Sequence, residues 1–68
     1  MMIELQFMNK SGTVIHARGA YDYDGFALIP SVGDIVRLSG RRWKVLERIF
    51  DYMENNLDLR ATFTCEEA

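Results

Sequence analysis

The side chains that could do chemistry are few. His16 is the only histidine and Cys65 the only cysteine among the 68 residues. A histidine acting as a general base needs an orienting carboxylate and a nucleophile or substrate beside it. The residues around His16 mark neither. His16 stands opposite in phase to Ile15 on an alternating stretch, which predicts a solvent-facing side chain. Cys65 continues the inward phase of the last alternating stretch, which predicts a buried, inert thiol. One cysteine excludes an internal disulfide, and with one histidine it excludes a Cys/His zinc site. Asp22-x-Asp24-Gly25 has the opening of a calcium loop. An EF-hand needs further ligands, a glutamate at its twelfth position and flanking helices. The stretch is therefore read as acids in a solvated turn. These residues predict no metal, no cofactor and no catalytic site, and a protein that is not an enzyme.

Binding groups are more plentiful. Arg37, Arg41, Arg42, Lys44 and Arg48 fall in one short segment, while the chain as a whole carries a net charge of −2. Arg42 and Lys44 share a face opposite Trp43 and Val45, and Arg41 adds to them from the turn. Such a patch suits phosphate or an acidic protein surface. Tyr21, Tyr23 and Phe26 form a second candidate surface, since aromatic residues are favoured at interfaces. Phe50 and Tyr52 form a third, on the far half of the same stretch.

These groups must be positioned by strands. Met2 to Met8 alternates, with Ile3, Leu5 and Phe7 to one side and Glu4 and Gln6 to the other. A period of two means a half-buried strand. Asn9 to Gly12 is a turn with Gly12 suited to positive φ. Thr13 to Arg18 completes a hairpin. Gly19 to Ile29 is predicted as a loop, with an irregular strand over Phe26 to Ile29. Asp34 to Leu38 is the next strand, Ser39-Gly40-Arg41 a tight turn, and Arg42 to Met53 a long strand. The long strand changes phase. Trp43 and Val45 lie on one face, and Leu46, Arg48, Phe50 and Tyr52 on the other. A bulge at Leu46-Glu47 reconciles the halves. After a turn at Glu54 to Asn56, Leu57 to Cys65 alternates most cleanly. The predicted core is Ile3, Leu5, Phe7, Ile15, Val36, Leu38, Trp43, Val45, Leu59, Ala61 and Phe63.

No segment has a helical period, and no apolar run approaches the roughly 20 residues of a membrane helix. Five strands on short turns predict one domain over residues 1–68, an all-β antiparallel meander closed as a small barrel. The Met1 to Met8 stretch lacks the pattern of a signal peptide, so a cytoplasmic protein with a reduced thiol is expected. A chain this short has a thin stability margin without a disulfide or metal. Its apolar residues exceed one small interior, so a homodimer is expected.

Gly33-Asp34, Val36, Gly40 and Val45 resemble the strand-turn-strand of SH3-like small barrels, including KOW-type barrels of ribosome- and transcription-associated proteins. That resemblance implies a five-stranded SH3-like barrel and, through the KOW type, a nucleic-acid role. Ala20-Tyr21-Asp22-Tyr23 is similar to the Ala-Leu-Tyr-Asp-Tyr signature of peptide-binding SH3 domains, which implies that the tyrosines line a peptide groove. In size and fold the chain also resembles accessory proteins of phages and other mobile elements. The reading is a non-catalytic protein-interaction module that self-associates. The alternative is a nucleic-acid-binding barrel that uses the basic segment from Arg37 to Arg48. Tyr21, Tyr23, Phe26, Arg41, Arg42, Lys44, Phe50 and Tyr52 are its candidate binding residues.

Overall fold

The computed structural model describes residues 2–22, 29–52 and 59–68. Its strands are β1 (Met2–Asn9), β2 (Val14–Asp22), β3 (Ile35–Leu38), β4 (Arg41–Tyr52) and β5 (Leu59–Glu67). They form one curled sheet in the order β2-β1-β5-β4-β3, a half-barrel compatible with the SH3-like small barrels. The expectation of an antiparallel sheet needs one correction: β1 and β5 run parallel, from Ile3 opposite Leu59 to Asn9 opposite Cys65. The reason is arithmetic. Strands that alternate in direction around a ring of odd number must meet once in the same direction. Here that meeting is β1 with β5, and among the described residues the pairing that would close the ring, β2 with β3, is not made.

One face of the sheet is apolar. Ile3, Leu5, Phe7, Val45, Leu59, Ala61, Phe63 and Cys65 are buried on it, with Ile29 packed in from the segment before β3. Ile15, Val36, Leu38, Trp43 and Phe50 cover its margins. Phe7 and Phe63, opposite each other in the parallel pair, stack at 4.7 Å. This is the predicted core with Ile29, Phe50 and Cys65 added. Nothing in the irregular stretch that ends at Ile29 marks which residue turns inward, so the sequence pattern does not single out Ile29.

Three register slips within the paired strands shape the sheet. On β4 the register slips between Val45 and Glu47, where the phase change requires it. Arg48, Phe50 and Tyr52 thereby join Trp43 and Val45 on the inner face. The expectation that one interior cannot take both halves is corrected to that extent: Phe50 packs on the core, while Tyr52 at its end stays exposed. On β2 the register slips twice. The first slip inserts Ile15, so His16 comes to stand opposite Phe7. Instead of facing solvent, His16 is half-buried with its ring 6.4 Å from that of Phe7. The second slip lies around Gly19, a residue that strands use at bulges. Pairing then resumes with Tyr21 opposite Ile3, so β2 outlasts the predicted end at Arg18.

Three turns explain Gly12, Gly33 and Gly40. Asn9 organises the first: its Oδ1 accepts the Ser11 amide, the Ser11 hydroxyl and the Thr13 amide at 2.8–3.1 Å. The second begins at Ser31, whose carbonyl accepts the Asp34 N–H at 3.0 Å, while the Asp34 carboxylate accepts the Ser31 N–H at 2.8 Å. Gly33 has φ +95°. Its N–H donates to the Val45 carbonyl, and the Val45 N–H donates to the Asp34 carbonyl. Two residues facing one, led by a left-handed glycine, make a bulge of the G1 type. The Ser39-Gly40 turn has φ +52° and +79°, the paired positive values of a type I′ hairpin.

Gly33→Ala is expected to lose about 1–2 kcal/mol from left-handed backbone strain, since a Cβ there meets no atom within 4 Å. Ser39→Asn is expected to gain on the order of 0.5 kcal/mol by suiting the type I′ turn. Urea unfolding of both variants checks the pair of signs.

Candidate functional site

The hairpin of β3 and β4 carries most of the predicted binding residues, and the sheet divides them between its two faces. Arg41 lies at the inner end, where its guanidinium meets Glu67 at 3.4 Å. Arg48 turns inward across the β4 bulge. It donates to the Pro30 carbonyl at 3.2 Å and the Ser31 hydroxyl at 3.0 Å, and lies 4.7 Å over the Phe50 ring. It clamps the segment that enters β3, so the basic cluster loses this member to structure.

The outer face keeps Arg37, Arg42 and Lys44. All three are exposed, and none has an ion pair among the described residues. Arg37 stands directly opposite Arg42, and Ile35 opposite Lys44. The hydrogen-bond phase decides how close the arginines come. The Val45 amide and carbonyl point toward β3, whereas the Arg42 carbonyl accepts the Ala68 N–H on the far side. Arg37 and Arg42 are therefore a non-hydrogen-bonded pair, with Cα atoms roughly 4.5 Å apart and side chains at their nearest. Like charges directly opposite destabilise a sheet. Glu66 stands across from Lys44 on β5, and its carboxylate lies 3.4 Å from Lys10.

The same phase fixes what the edge offers. The backbone groups of Val36 and Leu38 turn toward β4, so those of Ile35 and Arg37 turn out of the sheet. β3 has no second neighbour among the described strands. The edge thus presents two N–H donors and two carbonyl acceptors, with Ile35 exposed beside them. Unpaired edge groups template another strand.

The aromatic candidates do not assemble into one surface. Tyr21 lies on β2 opposite Ile3, at the other edge of the sheet. Tyr23 and Phe26 lie outside the described residues. Phe50 belongs to the core margin, and Tyr52 is 83% exposed.

A shallow depression of about 330 Å³ lies at the Trp43 end of the sheet, lined by Asn9, Lys10, Ser11, Trp43, Cys65, Glu66 and Glu67. Sequence reasoning placed Trp43 in the core and missed this depression, because its walls come from three separated stretches. The Trp43 Nε1–H is buried without a hydrogen-bond partner among the described residues. Burial raises the pKa of the Cys65 thiol above its ordinary value. Such a thiol stays protonated at neutral pH and is a poor nucleophile. Among the described residues no group of three or more His, Cys, Asp or Glu is placed to hold a metal, and no helix is long and apolar enough to cross a membrane.

No family model, curated protein or solved structure matches the chain.

The native Cys65 thiol is expected to react with a disulfide reagent far more slowly than in urea. Its raised pKa also gives stability a sign at alkaline pH. The unfolded chain releases the thiol proton first, so stability falls as pH rises past the ordinary thiol range. Cys65→Ala removes that portion of the alkaline loss, measured by urea midpoints at stepped pH.

Proposed function

We propose that the chain is a non-catalytic protein-interaction module that takes an extended segment of another polypeptide along the free edge of β3. The edge of β3 that no described strand pairs supports this reading. Among the described residues the curled five-stranded sheet lacks one pairing of a closed ring, and that edge carries outward donors and acceptors beside an exposed Ile35. Strand addition supplies affinity through main-chain hydrogen bonds and selectivity through alternate side chains. Nucleic acid is the competing partner class, and the geometry serves it less well. Arg48 is spent on Pro30 and Ser31, and Arg41 faces Glu67. That leaves Arg37, Arg42 and Lys44 in a chain of net charge −2, a small set for phosphate binding.

A blocked heptapeptide alternating threonine and valine tests the reading. Its binding is expected to slow hydrogen exchange at the Ile35 and Arg37 amides. Ile35→Pro removes an outward N–H and leaves the bonds to β4 in place, so it is expected to weaken that effect. An edge whose amides exchange at the same rate with and without saturating peptide would overturn the proposal.

Self-association in a reducing, cytoplasmic setting belongs to the same reading, with Tyr52 as the exposed anchor. Light scattering is expected to give the mass of a dimer, and Tyr52→Glu to shift it toward the monomer. A monomer mass for the parent chain at the highest soluble concentration removes this part alone.

A further inference from the structure

The patch on the outer face specifies what kind of strand the edge would take. We propose that the β3 edge selects an extended acidic strand, with carboxylates beside Arg37 and Arg42 and apolar side chains beside Val36 and Leu38. This rests on the edge-binding reading above and goes further by naming the chemistry of the partner.

Strand register fixes which partner residues face which side. A strand bonded to the outward groups of Ile35 and Arg37 places the residues paired with them on the outer face, because directly opposed residues share a face. The partner residue opposite Arg37 therefore sits on the side where Arg37 and Arg42 are opposed. A carboxylate there meets two guanidiniums that repel each other without it. Arginine suits this role, since its planar fork accommodates carboxylate oxygens in pairs. The partner's alternate residues fall on the inner face, against Val36 and Leu38, which are half-buried at the margin of the core. Apolar side chains there extend the covered surface. The pattern is thus acidic outside and apolar inside, with a period of two.

A nucleic-acid strand meets only half of this site. Its phosphates suit Arg37 and Arg42, but it has no alternating apolar side to lay against Val36 and Leu38. It also has no amide groups to complete the bonds of Ile35 and Arg37.

Three blocked heptapeptides decide the matter, each titrated into the labelled protein while backbone amide shifts are followed: Thr-Val-Glu-Val-Glu-Val-Thr, the same peptide with lysine for glutamate, and the threonine-valine peptide. The acidic peptide is expected to bind about tenfold tighter than the lysine peptide, to weaken with salt, and to shift the Ile35 and Arg37 amides most. In R37E/R42E the preference is expected to reverse toward the lysine peptide. Both positions are exposed, and the single variant R42Q, with a smaller loss, serves if the double variant does not fold. Equal affinity for the three peptides overturns acidic selectivity and leaves edge binding standing. No amide shift with any peptide overturns both. Oligothymidylate binding at the same amides more tightly than the acidic peptide overturns the proposal in favour of nucleic acid.

Discussion

The parallel pairing of β1 with β5 is the constraint on which the rest of the molecule depends. Without it the chain is two separate pieces, a hairpin of β1 and β2 and a meander of β3, β4 and β5. Neither has an interior of its own. Seven consecutive opposed positions, from Ile3 with Leu59 to Asn9 with Cys65, join them. Every other one of those positions contributes to the buried face, including the stacked Phe7 and Phe63. On the outer face Glu4 and Arg60, opposed in the same pairing, meet at 2.9 Å. That half-exposed contact adds at most about 1 kcal/mol. Burial of the inner side chains carries the join, at roughly 25 cal/mol for each Å² of apolar surface removed from water.

Once β5 is fixed beside β1, β4 follows by hairpin pairing and its bulge sets the rest. The slip at Leu46 brings Arg48 over Phe50 and into reach of Pro30 and Ser31. The G1 bulge at Gly33-Asp34 secures the same segment to Val45. β3 is thereby held on one side by β4 and at its start by two clamps, while no described strand pairs its other side. A rigid edge loses little conformational freedom on accepting a strand, which favours binding by preorganisation.

Much of this was legible in the amino-acid pattern. The alternation in β1 and β5 names nearly all of the core, and the phase change at Leu46 locates the bulge, because side-chain period is a local property of a strand. Gly12, Gly33 and Gly40 mark the turns because each requires positive φ. What escaped was set between strands. Neither the parallel meeting of β1 and β5 nor the bulge at Ile15 that draws His16 to Phe7 has a local signature. The candidate site divided in the same way. Arg37, Arg42 and Lys44 were readable as a patch, but their opposition across a non-hydrogen-bonded pair depends on register. Arg48 reads in the sequence as one more surface cation, whereas its partners Pro30 and Ser31 come from a distant segment.

The parallel join also has a bearing on how the chain reaches this fold. Glu4 and Arg60 are 56 positions apart, yet they are neighbours in the same ladder. Contacts of such long sequence separation impose a large loop-closure entropy before they return any stability. Folding dominated by them is slow. During synthesis β1 and β2 emerge well before β5, so the inner side of β1, with Ile3, Leu5 and Phe7, waits uncovered for its companion. A nascent hairpin in that state is a target for chaperones and for other unfinished copies.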